Sequence, residues 1–189
     1  MTLFSVLRLV VALFPVSEIA LAIIKHSNAS SAQAQDRGSM RLLWIAIVIG
    51  VGCAIAAQWV PSARLHVPSS IVGTVALVLI VTGLIVRWVA ILTLGRLFTV
   101  DVAIQRDHQL IQTGLYRLVR HPSYAGLLIA FLGLGLFFAN WLSVVLLLVP
   151  ITLAVINRVV KEEQVLLQAL GVPYAAYCAR TKRLIPGVL

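Results

Sequence analysis

Long apolar runs separated by shorter polar stretches dominate this chain. The first three runs extend from about Leu3 to Ile24, from Leu42 to Val60 and from Ile71 to Leu94. A helix needs about 20 apolar residues to cross a bilayer, and these runs have that length. The pattern predicts an all-α integral membrane protein with about five transmembrane helices, the first three of which are these runs.

The last two apolar runs are shorter and lie close together. The fourth begins near Tyr124 and the fifth ends near Val160. One helix over both would overshoot the bilayer, because an α-helix rises about 1.5 Å per residue. We therefore predict a helical hairpin that turns at Asn140, with Pro150 kinking the returning helix. Gly133 offers a small residue for close contact between helices.

The composition and the distribution of charge support this interpretation. Of the 189 residues, 61% are hydrophobic and 11% are charged, whereas soluble domains carry about 25% charged residues. One set of loops and ends contains most of the basic residues: Lys25, Arg37, Arg41, Arg96, Arg106, Arg117, Arg120, Arg158, Lys161, Arg180, Lys182 and Arg183. The other set contains only Arg8 and Arg64. Basic loops stay cytoplasmic, so we predict a multi-pass protein with its N-terminus outside and its C-terminus inside.

The net charge of +9 is explained by basic loops that contact anionic membrane lipids. We therefore expect no nucleic-acid partner. We expect a single membrane domain, residues 1–189. Residues 1–70 form its N-terminal two-helix part. Residues 71–189 form its catalytic part: the third helix, a connecting segment, the hairpin and the C-terminal tail. In a prokaryote the chain would lie in the plasma or inner membrane.

Three polar clusters fall on the predicted cytoplasmic side, at Asp107–Tyr124, Arg158–Glu163 and Gly171–Pro186. Arg158 and Glu162 are four residues apart, so they share one face of a helix that leaves the membrane. A surface ion pair, with Arg158 reaching the lipid headgroups, remains the alternative. The clustering predicts a cofactor pocket on this side.

His121 is the most suggestive residue of the first cluster. It precedes Pro122, which suits the first turn of the fourth helix. A helix N-terminus has free N–H groups that favour an anionic ligand such as a carboxylate. A hydrogen-bonded interfacial histidine is the alternative, although the neighbouring His108, Tyr116 and Tyr124 favour a site.

Other chemistries find less support in the sequence. No Cys or His pair has metal-ligand spacing, so we expect no metal. Ser123 lacks the Gly-x-Ser-x-Gly turn of a hydrolase, and no glycine-rich phosphate loop is present. Cys53 and Cys178 are expected to be free thiols. Arg87, inside the third apolar run, is either functional or a residue whose charged end reaches the interface.

Three segments together carry a family resemblance: RWVAILTLGRLFT, HQLIQTGLYRLVRHPSYAG and EEQVLLQALGVPYAAYCARTKRLIP. They resemble the isoprenylcysteine carboxyl methyltransferase family, including its small prokaryotic members, over about Arg87 to Pro186. The resemblance implies a methyltransferase that uses S-adenosyl-L-methionine (SAM) to O-methylate the carboxyl group of a prenylcysteine-like acceptor. The acceptor would be a lipophilic small molecule or a lipidated peptide, and no obligate protein partner is implied.

The resemblance also implies residue roles. The SAM-binding set would be His108, Gln109, Leu110, Ile111, Tyr116, His121, Pro122, Ser123, Tyr124 and Glu162. Ile111 replaces the Val usual in the family. Glu162 would pair with the cofactor's ammonium group and His121 would hold its carboxylate, while Arg158 would bind the carboxylate of the acceptor.

Three alternatives remain open at this point. The pattern extends to phospholipid and small-molecule methyltransferases and to sterol-type reductases that use NADPH. A non-enzymatic membrane protein, such as a small transporter, would carry polar residues inside several helices. Here most polar groups lie at one interface, with Glu18 and Arg87 as exceptions.

Overall fold

The computed structural model describes residues 2–24, 37–95 and 110–187, and their regular secondary structure is helical, with two isolated bridges. The helices are α1 Leu3–Ile24, α2 Arg37–Ala56, α3 Ser69–Leu94, α4 Pro122–Phe137, α5 Trp141–Leu170 and α6 Val172–Arg180. Short 3₁₀ turns lie at Ala57–Trp59, Pro61–Ala63 and Gly114–Arg117. The all-α prediction is confirmed.

Within the described ranges, three helices are long and apolar enough to cross a membrane: Gly38–Trp59, Ser69–Leu94 and Trp141–Leu170. The chain is therefore an integral membrane protein. The count of five spans stays a prediction, because α4 has only 16 residues and α1 contains Arg8 and Glu18.

The hairpin turn at Asn140 is confirmed. The Asn140 side chain caps α5 by accepting hydrogen bonds from the N–H groups of Leu142 (2.9 Å) and Ser143 (3.2 Å). Its amide also donates to the Ala57 carbonyl at 2.9 Å, so it joins the hairpin to the end of α2. This side chain is 1% exposed, and it satisfies backbone groups that a helix start leaves without partners.

The helix that contains the fifth apolar run continues past the end of that run near Val160, as expected for a helix that leaves the membrane with Arg158 and Glu162 on one face. α5 continues to Leu170 and runs as one helix through Pro150. The residues after Val160 are good helix formers, and the helix ends only where Gly171 adopts a φ of +57°, a conformation that favours glycine. The extra turns carry the second polar cluster away from the apolar part of the helix.

α3 and α4 approach each other so closely that only glycine fits at their contact. A Cβ atom at Gly83 would lie 2.5 Å from the Ala130 backbone nitrogen, and one at Gly133 would lie 2.7 Å from the Ala76 carbonyl oxygen. Since lipid provides no hydrophobic drive for helix association, such close van der Waals contact holds membrane helices together. The predicted role of Gly133 in helix contact is confirmed.

An ion pair in the bundle interior joins α1 to this unit. Arg87 of α3 donates from Nε and Nη2 to the two carboxylate oxygens of Glu18, at 2.6 and 2.5 Å. Its Nη1 donates to the Ser123 carbonyl at 3.3 Å. A buried charge needs such paired, hydrogen-bonded surroundings. Arg87 is therefore a structural contact between α1, α3 and α4.

The glycine contact generates a first prediction. Gly83→Ala should destabilise the protein by about 2 kcal/mol, because the new methyl meets backbone atoms of α4 that cannot move without separating the helices. Thermal or denaturant unfolding in detergent measures the change. Gly52→Ala is the matched control, since a Cβ there meets no atom within 4 Å. Equal stability of the two variants would contradict the close α3–α4 contact.

Candidate functional site

The start of α4 and the far end of α5 meet because the two helices form a hairpin. Glu162 lies about 32 Å along α5 from the Asn140 turn, at the level of His121, which precedes α4. His121 Nδ1 lies 4.0 Å from Glu162 Oε2, and His121 Nε2 lies 3.3 Å from Glu163 Oε1. The structure therefore brings the predicted imidazole and acid together.

Glu163 is the centre of a charged cluster that sequence reasoning did not assign. Its carboxylate accepts from Arg120 Nε at 2.7 Å and from Arg183 Nε at 2.9 Å, beside the contact with His121. The guanidinium of Arg120 also donates to the carbonyls of Cys178 and Thr181. The sequence feature that pointed to this cluster was the Glu162–Glu163 pair close to several arginines. The sequence alone does not tell which of the two acids pairs with those arginines.

Backbone hydrogen bonds hold the C-terminal tail against the same segment. The N–H of Arg120 donates to the Lys182 carbonyl at 2.8 Å, and the N–H of His121 donates to the Arg183 carbonyl at 3.0 Å. Together with the Glu163 carboxylate, these bonds join the residues before α4, the end of α5 and the tail after α6. The site is thus built from three separate segments.

Glu162 has very different surroundings from its neighbour. Its Oε2 is buried and has no hydrogen-bond partner within the described part of the chain, and the same holds for the hydroxyl of Tyr174. Tyr174 is 2% exposed. A buried polar atom without a partner costs about 1–3 kcal/mol, so both atoms suit a ligand that supplies the missing hydrogen bonds. Sequence reasoning did not single out Tyr174.

Arg158 is buried deeply, with 1% of its surface exposed. Its Nε donates to the Tyr124 hydroxyl oxygen at 2.5 Å and its Nη1 to the Ser39 hydroxyl oxygen at 3.1 Å. The alternative of a surface ion pair, with Arg158 reaching the headgroups, was therefore wrong. Arg158 lies where α2, α4 and α5 converge.

The tyrosines near the site remain protonated. Burial, together with the charge of Glu162, raises the pKa of Tyr116 well above its ordinary value, and burial raises the pKa of Tyr177 to about 12. The Tyr116 hydroxyl donates to the Ala90 carbonyl at 3.3 Å, while the Tyr116 carbonyl accepts from the Tyr177 hydroxyl at 2.7 Å. These phenols act as hydrogen-bond donors and ring surfaces, not as bases.

The start of α4 offers fewer free N–H groups than expected. Pro122 has none, and the N–H groups of Tyr124 and Ala125 both donate to the His121 carbonyl at 3.1 Å. These positions contribute no free donor, and an anion site at this helix start stays a prediction. Both ring nitrogens of His121 also face glutamates rather than open space.

The remaining predicted residues are placed as follows. Ser123 is 7% exposed and its carbonyl accepts from Arg87. Leu110 and Ile111 are partly buried in the segment before the Gly114–Arg117 turn. That segment contacts α6 through a hydrogen bond from Arg180 to the Gln112 side chain, at 3.1 Å. His108 and Gln109 lie outside the described residues.

The fold and the site together define an integral membrane protein whose buried polar site lies at one end of a helical hairpin. The sequence pattern of the isoprenylcysteine carboxyl methyltransferase family matches residues 75–168. The chain belongs to this family. The match includes α4, most of α5 and the whole of the first two polar clusters.

Named relatives and a solved structure agree with this assignment. Protein-S-isoprenylcysteine O-methyltransferase A of Arabidopsis thaliana is 36% identical over 119 residues, which are 62% of this chain and 60% of the relative. The corresponding protein of Schizosaccharomyces pombe is 32% identical over 67% of this chain and 54% of its own. A eukaryotic intramembrane Ras methyltransferase, an isoprenylcysteine carboxyl methyltransferase, superposes with a TM-score of 0.70 at 26% identity, covering 98% of this chain and 67% of that one.

The chain thus spans about three fifths or less of the length of these curated relatives. Its likeness to the solved structure, in contrast, extends over nearly its whole length. The N-terminal helices, which carry no diagnostic sequence signal, are therefore part of the shared fold.

The charged cluster generates a second prediction. Glu163→Gln should lower the free energy of unfolding by about 3 kcal/mol, because Arg120 loses its partly buried anionic partner. The amides of Arg120 and His121, which bond to the tail, should exchange with deuterium faster. Glu162→Gln is the matched control and should change neither quantity much in the ligand-free protein. An equal loss in both variants would contradict the division of roles between the two acids.

Proposed function

We propose that this protein is a SAM-dependent methyltransferase that O-methylates the carboxylate of a lipophilic, prenylcysteine-like acceptor at the cytoplasmic face of the membrane. The observation that carries the proposal is the buried Glu162 oxygen without a partner beside His121. It lies inside the segment that matches the family. The names of the relatives supply the substrate class.

The residues present fit a cationic nucleotide of this kind. When bound, SAM supplies a methyl group on a positively charged sulfur. Glu162 would receive its ammonium group in a charge-assisted hydrogen bond. Tyr116 and Tyr124 would offer ring faces to a cation or a base, and the Tyr174 hydroxyl would bond to a polar group of the ligand.

The other members of the predicted SAM-binding set act as walls or supports. Pro122 and Ser123 are buried in the first turn of α4, and Leu110 and Ile111 lie on the segment that α6 contacts. His108 and Gln109 join the set through the family resemblance. His121, which Glu163 holds through Nε2, would orient the Glu162 carboxylate from its Nδ1 side.

Arg158 would bind the acceptor. A carboxylic acid is already ionised at neutral pH, so the reaction needs no strong general base. A guanidinium binds a carboxylate with directional, charge-assisted hydrogen bonds, and burial strengthens this attraction. With one oxygen held by Arg158, the other is left in a fixed orientation, and the buried position keeps water out.

The third prediction concerns the donor. Glu162→Gln should weaken binding of S-adenosylhomocysteine at least tenfold, because a charge-assisted hydrogen bond contributes about 1.5–3 kcal/mol. Isothermal titration calorimetry in detergent measures this. Gln164→Ala, an exposed neighbour on the same helix, should bind as the unmodified protein does. Tight binding of NADPH in place of S-adenosylhomocysteine would overturn the proposal in favour of a reductase.

The fourth prediction concerns the acceptor. Arg158→Lys should raise the KM for a farnesylated cysteine analogue roughly tenfold or more, because lysine cannot reproduce the fork of a guanidinium. Transfer of a labelled methyl group measures this. Arg117→Lys, an exposed arginine, is the control. An analogue whose carboxylate is amidated should not be methylated, and its methylation would exclude the carboxyl group as the acceptor.

A further inference from the structure

We propose that Ser39 of α2 is a positioning residue for the acceptor site, because it fixes the orientation of the Arg158 guanidinium. Ser39 lies outside the residues 75–168 that match the family. The inference rests on the proposed role of Arg158 in binding a carboxylate. It deepens that role by giving the N-terminal part of the chain a function in acceptor binding.

The hydrogen bonds of Arg158 are the first observation that supports this role. A guanidinium is planar and has five N–H donors in a rigid fork. Tyr124 of α4 accepts from Nε at 2.5 Å, and Ser39 of α2 accepts from Nη1 at 3.1 Å. Two hydroxyls from two different helices, bonded to two different nitrogens, define the plane of the group. Rotation of the guanidinium would break at least one of these bonds.

The burial of Ser39 and Arg158 is the second observation that supports this role. Ser39 is 0% exposed and Arg158 is 1% exposed. Bulk water therefore has no ready access to replace the serine hydroxyl, and its loss removes one of the buried hydrogen bonds that orient Arg158. A surface arginine would simply bond to solvent instead. Removing this hydroxyl should therefore change the hydrogen bonding and the orientation of the Arg158 guanidinium.

The packing of α2 against α5 is the third observation that supports this role. At the opposite end of this contact, Ser143 of α5 donates to the Ala54 carbonyl of α2 at 2.7 Å. Between the two ends, a Cβ at Gly50 would lie 3.4 Å from Leu147. From Ser39 to Ala54 is fifteen residues, and from Arg158 back to Ser143 is also fifteen.

The two helices are therefore antiparallel and remain in the same register over about 22 Å. This register brings the first turn of α2 to Arg158. A slip of one residue along either helix would turn Ser39 away from the guanidinium, because successive helical residues point about 100° apart. The packing of α2 against α5 thus places the Ser39 hydroxyl within hydrogen-bond distance of Arg158.

The test compares Ser39→Ala with Ser143→Ala. Both remove a fully buried serine hydroxyl from the α2–α5 contact, but only the first contacts Arg158. Ser39→Ala should raise the KM for the farnesylated cysteine analogue about tenfold, with kcat changed less than threefold. Its Kd for S-adenosylhomocysteine should stay within twofold of the unmodified protein. Ser143→Ala should leave all three constants unchanged, and Ser39→Thr, which restores a hydroxyl, should restore the KM.

Coupling to Arg158 separates this inference from the proposed function. In the Arg158→Lys background, Ser39→Ala should raise the KM no further. If Arg158→Lys raises the KM but Ser39→Ala does not, the role of Ser39 is overturned while the proposed function stands. Equal effects of Ser39→Ala and Ser143→Ala would also overturn it, as a general packing effect. If Arg158→Lys itself leaves the KM unchanged, the proposed role of Arg158 in acceptor binding is overturned, and the role of Ser39 is overturned with it.

Discussion

The Glu163 carboxylate joins three segments that are distant along the chain: Arg120 and His121 before α4, the end of α5, and Arg183 in the tail. α6 has only nine residues, and the tail after it is held to the residues before α4 by backbone hydrogen bonds as well as by the Glu163 carboxylate. A partly buried acid with several basic partners holds such a tail because each partner compensates for lost hydration. The charged end of the protein is thus assembled around one carboxylate.

Two adjacent glutamates consequently have opposite properties. Glu163 satisfies the arginines and the imidazole around it, whereas Glu162 retains a buried oxygen without a partner in the described residues. Helical geometry explains the difference, because neighbouring residues point about 100° apart. One acid faces the tail and the other faces the tyrosines, so a single turn of α5 provides both a structural anchor and a ligand-binding group.

Local signals predicted much of this arrangement. Apolar run lengths predicted the helices, Asn140 predicted the hairpin turn, and the hairpin in turn placed His121 beside Glu162. The signals failed where contacts are long-range. Arg158 meets Ser39 across 119 residues and Arg87 meets Glu18 across 69, and neither pair has a spacing that periodicity detects.

The Glu18–Arg87 pair has a consequence for how the protein is made. Glu18 leaves the ribosome long before Arg87, so α1 reaches the membrane with an isolated acid. An unpaired carboxylate among apolar helices is costly, and Arg87 can compensate for it only after α3 has packed against α1. Stable packing of α1 in the bundle should therefore depend on a residue that is translated 69 positions later.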